Sequence, residues 1–177
     1  MTLSTRCFLL IWLALSVATL ARAENLDASG RGAPPANDSC ETAQAVSNAD
    51  FPIADSLATA TSSYNLNFGK QGISNGPDVW LDFTAADDGL YEFSFAPTDL
   101  GDDFALIFIQ FQDCDLFGGL EGVNDGGPGA TESQSFNFQN GEAITFMLRG
   151  FSTDDNGAYT FSLIFTPGAS VENWEAY

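Results

Sequence analysis

Phenylalanine and tyrosine recur at every second position along much of this sequence, and that spacing leaves little choice of fold. Val79, Leu81 and Phe83 alternate with polar or bulky neighbours through Asp78–Thr84. Tyr91, Phe93 and Phe95 do the same, as do Phe136 with Phe138, Ile144 with Phe146 and Leu148, and Tyr159 with Phe161, Leu163 and Phe165. Period two puts each set on one face of a strand. Phe104 to Phe111 (FALIFIQF) is almost wholly apolar, the pattern of a central strand covered on both faces. Between the runs stand Asn75-Gly76, Asp88-Gly89, Asp125-Gly126, Asn140-Gly141 and Asn156-Gly157. These residues tolerate positive φ and predict tight turns between antiparallel strands. Beyond the first 23 residues no stretch carries a helical stripe. The expectation is an all-β, two-sheet antiparallel sandwich, jelly-roll-like. One short helical turn is expected near residue 40, where Asp38 or Ser39 can serve as N-cap.

Residues 1–23 read as a cleavable export signal. Arg6 precedes an apolar run from Cys7 to Leu20, and Ala21-Arg22-Ala23 offers small residues at both positions a signal peptidase reads. The run is 14 residues, short of the roughly 20 that a bilayer span requires. The expected organisation is a signal at 1–23, a flexible lead-in at 24–36, a sandwich domain at 37–167 and an acidic tail at 168–177. Cleavage leaves 154 residues, enough for one domain with a core. The expected location is outside the cell, or the periplasm, with no membrane insertion of the mature chain.

Charge narrows the partners. After cleavage three basic residues, Arg31, Lys70 and Arg149, stand against 24 acidic ones, a net charge of −21. Such a field repels nucleic acid and anionic membranes, so both drop out as partners. It attracts cations, and loop carboxylates suit calcium, a hard ion that takes several oxygen ligands. The candidate positions are Asp102 and Asp103, Asp113 and Asp115, Asn124 and Asp125, and Asp154-Asp155-Asn156. Asp113 to Asn124 begins like a helix–loop–helix calcium loop but fails at Phe117 and Asn124. Asp154 to Gly157 reads more simply as a hairpin turn.

Two cysteines remain after cleavage, Cys40 and Cys114. An even count in an exported chain predicts one disulfide between them, with pairing to a second chain as the alternative. The sequence contains no histidine, so the usual nucleophile–base pairs have no members and no enzyme is expected. Trp80 is out of phase with its neighbours and faces either solvent or a second packing layer, with packing the expectation. Trp174 and Tyr177 in the tail are candidate docking aromatics.

Four pieces, taken in order, carry a family resemblance: Pro35-Ala36-Asn37-Asp38-Ser39-Cys40-Glu41-Thr42-Ala43; Gly76-Pro77-Asp78-Val79-Trp80-Leu81-Asp82-Phe83-Thr84; Asp102-Asp103-Phe104 with Asn124-Asp125 downstream; and Gly157-Ala158-Tyr159-Thr160-Phe161-Ser162-Leu163. The chain resembles the bacterial pre-peptidase C-terminal-like domains, secreted β-sandwich modules, over roughly residues 35 to 166. The resemblance implies a non-catalytic accessory or binding role. It also brings Asp103, Asn124 and Asp125 together at one sandwich edge as the preferred calcium set. The resulting expectation is a secreted, non-catalytic binding or adhesion module with calcium as its candidate cofactor. Its partner would be an extracellular protein or glycan. The alternatives are an accessory subunit of an exported protease acting in trans, and an extracellular structural or filament subunit.

Overall fold

The computed structural model describes residues 32–63, 66–67, 73–109, 114 and 120–168. Residues 1–23, expected to be an export signal, and Asp113, Asp115, Trp174 and Tyr177 lie outside the described residues. Eleven strands follow in chain order: β1 (Gln44–Val46), β2 (Ile53–Ser56), β3 (Leu66–Asn67), β4 (Ile73–Ser74), β5 (Asp78–Thr84), β6 (Gly89–Pro97), β7 (Phe104–Ile109), β8 (Leu120–Val123), β9 (Glu132–Phe138), β10 (Ala143–Gly150) and β11 (Ala158–Pro167). They form a five-stranded sheet in the order β1-β5-β10-β7-β8 and a four-stranded sheet in the order β2-β11-β6-β9. The pair β3-β4 stands apart. All pairings are antiparallel except β1 with β5. Short 3-10 turns occupy Cys40–Thr42 and Asn48–Asp50, so the helical turn near residue 40 is present. Ser39 holds its N-cap position, while the Asp38 carboxylate accepts from the Thr61 backbone instead.

The alternating residues do what their spacing predicts. Val79, Leu81 and Phe83 of β5, Leu106 and Phe108 of β7, and Ile144, Phe146 and Leu148 of β10 face Tyr91, Phe93, Phe95 and Phe161 of the other sheet. Ring centroids approach to 4.5 Å between Phe93 and Phe146 and to 4.8 Å between Phe95 and Phe104. Burying each such side chain contributes about 1.5–3 kcal/mol, so this aromatic layer is what holds the two sheets together.

The turns correct the sequence reading. Asp88-Gly89, Asn140-Gly141 and Asn156-Gly157 fall between β5 and β6, β9 and β10, and β10 and β11, and each of those pairs lies in opposite sheets. They are arches across the sandwich, not hairpin turns. Gly141 alone of the five predicted turn glycines has a left-handed φ, +86°. At Gly76 the requirement is space, since a Cβ there would overlap the Gly150 carbonyl.

The outer face of the five-stranded sheet is also covered. Trp80, Ala105, Ile107, Ile109 and Met147 form a second buried cluster with Cys40, and Ala43 and Cys114 pack against it. Trp80 is therefore in a second packing layer. The Cys40–Cys114 disulfide closes 74 residues across this face, a constraint worth roughly 4 kcal/mol in the chain-entropy account. Among the described residues no helix is long and apolar enough to cross a membrane.

Candidate binding groove

Strand β9 reads ESQSFNF, and its position decides its chemistry. Ser133, Ser135 and Asn137 are exposed, whereas Phe136 and Phe138 turn inward and are only half-buried. The strand is terminal in its sheet, as β8 is in the facing sheet. Neither sheet closes over the other here, and a groove of about 560 Å³ opens between them. Gln134 to Phe138 form one wall, Phe108, Ala143 and Ile144 the other, with Glu121 and Glu142 at the rim. The rings of Phe136 and Phe138 stack 5.4 Å apart, and Phe108 meets Phe136 edge-on at 4.9 Å. Among the described residues the lining contains two carboxylates and no Lys or Arg. Glu142 also accepts from the Gln139 amide at 2.8 Å, which fixes the arch beneath the groove.

Glu132, at the start of β9, is buried and serves the neighbouring loop. It accepts from the amides of Asp125 at 2.8 Å and Gly126 at 3.1 Å. Asp155 does similar work, accepting from the Asp103 amide at 3.0 Å and from the amide and hydroxyl of Ser152 at 2.7 Å. Asp103 sits between these two anions. Burial first, then the charges of Asp155 and Glu132, raise its carboxyl above the usual range, and its Oδ1 is buried with no hydrogen-bond partner. Of the predicted calcium set, Asn124 is buried at 5 % exposure, and Asp125 gives its amide to Glu132 while its side chain is exposed. Among the described residues no group of three or more His, Cys, Asp or Glu side chains is placed to hold a metal ion.

One arrangement escaped the sequence reading. Asp78 and Arg149 are fully buried on the outer face of the five-stranded sheet, 3.5 Å apart. Ser63 donates to Asp78 through its amide at 2.9 Å and its hydroxyl at 2.6 Å, and Trp80 Nε1 donates at 2.9 Å. Arg149 reaches the Ser62 hydroxyl at 2.7 Å. Burial raises the Asp78 pKa, against the opposing pull of the Ser63 donors, Arg149 and Trp80. A signal was available: Arg149 follows a mostly apolar run (ITFML) and Asp78 is in phase with Trp80. The network pins the 61–63 segment over the second cluster and offers no open site.

The fold and this site define a jelly-roll-like β-sandwich module. With no histidine in the chain and Cys40 bonded to Cys114, histidine- and thiol-based nucleophile pairs have no members beyond residue 23. No family model matches the chain, and no curated protein matches it. Among solved structures it is similar to the pre-peptidase C-terminal domain of collagenase from Bacillus anthracis. Identity is 15 %, the match covers 69 % of this chain and 94 % of that one, and the TM-score is 0.44. It is also similar to a Cry1Da tryptic core variant from Bacillus thuringiensis, at 12 % identity over 72 % of this chain and 25 % of that one, TM-score 0.36.

Proposed function

We propose that this chain is an exported, non-catalytic β-sandwich module that binds an extracellular partner in the groove beside β9. The observation that carries the reading is the groove itself, a concave site of about 560 Å³ with half-buried Phe136 and Phe138 in its wall. Apolar side chains left partly open beside a few placed polar groups are the usual make-up of a binding site. The test is retention of a component of the native culture medium by the immobilised mature protein. Ser135→Trp fills the groove from an exposed position of β9. Retention by wild type and its loss in the variant, at unchanged melting temperature, is the expected result. Equal retention by both, or none by wild type, overturns the reading.

Calcium belongs to the proposal as a stabilising ion, with Asp103, Asn124 and Asp125 as its ligands. The supporting observation is the partnerless Asp103 Oδ1 between the anions of Asp155 and Glu132. Water and backbone carbonyls would complete the six to eight oxygens calcium takes, which sets the affinity at the weak, extracellular end of about 1 mM.

A further inference from the structure

We infer that the groove takes an extended, basic segment of a partner protein, added as a strand along the open edge of β9. The inference rests on the reading of the groove as the binding site and names its occupant.

The lining gives the orientation. Successive side chains of a strand point to opposite faces, so a hollow touching one face of β9 would meet alternate residues only. All five consecutive residues from Gln134 to Phe138 line this groove. It therefore runs along the edge of the strand, where main-chain amides and carbonyls are presented. Among the described residues no strand pairs with that outer side of β9. Exposed edges are usually guarded by proline or lysine, and residues 132–138 contain neither. Strand addition draws affinity from the main chain and specificity from pockets for alternate side chains. Half-buried Phe136 and Phe138 supply the apolar surface for such pockets.

Charge selects among the occupants that fit an edge. Glu121 and Glu142 stand at the rim, with no cation in the lining among the described residues, on a chain of net charge −19. A basic segment is steered in and held, and an acidic one is repelled. A second copy of this chain would bring the same rim acids and the same net charge against the first, which disfavours self-pairing. A glycan would need an open aromatic face, whereas the rings of Phe136 and Phe138 are stacked on each other and half-buried.

The experiment uses three capped six-residue peptides on the mature protein, with amide chemical shifts as the readout. One alternates Lys with Val and Phe, one replaces every Lys with Glu, and one replaces every Lys with Ser; a chito-oligosaccharide is the fourth probe. The Lys peptide is expected to shift the amides of residues 134–138 and 142–144, and to weaken as salt rises. Glu121→Gln with Glu142→Gln, both at exposed positions, is expected to weaken it about three- to tenfold. Equal binding of the Glu or Ser peptide, shifts scattered over the acidic surface without β9, or an unaffected double variant would overturn the inference. Groove amides moved by the oligosaccharide and by no peptide would overturn the basic occupant and keep the groove as a binding site. Silence with all four probes would also overturn the inference, while the groove reading would still be judged by medium retention with Ser135→Trp.

Discussion

Asp78 and Arg149 face each other in register across β5 and β10, both at zero exposure, on the side of the sheet away from the aromatic core. A buried pair contributes little relative to an apolar replacement of both, but removing one partner strands the other charge. Arg149→Met is therefore expected to cost about 3–5 kcal/mol in urea unfolding. Asp78→Asn with Arg149→Met is expected to recover much of that loss. A single variant as stable as wild type would contradict the geometry.

The two glycine requirements separate in the same assay. Gly141→Ala meets open space but must adopt a left-handed φ, a penalty of about 1–2 kcal/mol. Gly76→Ala forces a methyl group into the Gly150 carbonyl, so two backbone segments must move. The Gly76 variant is expected to be the less stable of the two, and the reverse order would contradict the arch geometry.

How much of this was legible beforehand follows from how local each feature is. Val79, Leu81 and Phe83 announce their face by spacing alone, because strand side chains alternate whatever the partner strand. Trp80 announced only that it pointed the other way. What packs beside and over it, Met147 and Ile107 of neighbouring strands and Cys40 of the 3-10 turn, comes from distant parts of the chain. The pairing of Asp78 with Arg149 needed the β5–β10 register, which periodicity does not supply. The groove was hidden for a related reason: ESQSFNF reads as an ordinary half-buried strand, and only strand order places it at an edge. The Asx-Gly pairs marked breaks between strands, yet they hold no information on whether the chain then joins strands of one sheet or crosses between two.

The disulfide is tested by thiol labelling and by its removal. The bond joins the 3-10 turn at Cys40–Thr42 to Cys114, both packed in the second cluster. The unfolded, unreduced mature protein is expected to take up no thiol label. Cys40→Ser with Cys114→Ser is expected to lower stability by roughly 4 kcal/mol. Two labels per chain would contradict the bond, and a dimer on non-reducing gels would show pairing between chains.

Calcium is tested by specificity. At a Kd of about 1 mM, calcium at about 10 mM would stabilise by roughly 1.4 kcal/mol, a rise of about 3–8 °C in melting temperature. Magnesium at matched ionic strength is expected to fall short, because it keeps its water and demands octahedral geometry. Asp103→Asn removes the carboxylate that Asp155 and Glu132 repel, so it should abolish the calcium-specific rise without lowering stability in calcium-free buffer. Equal shifts from both ions, or an undiminished rise in the variant, would leave only screening of an acidic surface.

Binding in the groove beside β9 is tested most directly by amide hydrogen exchange, with and without the partner retained from the native culture medium. Strand addition ties up edge amides that are otherwise open to water. Exchange is expected to slow at the outward-facing amides within residues 134–138, those not already paired with β6, with little change along β10 or along β2 at the opposite end of the same sheet. Unchanged exchange at 134–138, with protection elsewhere or nowhere, would contradict it.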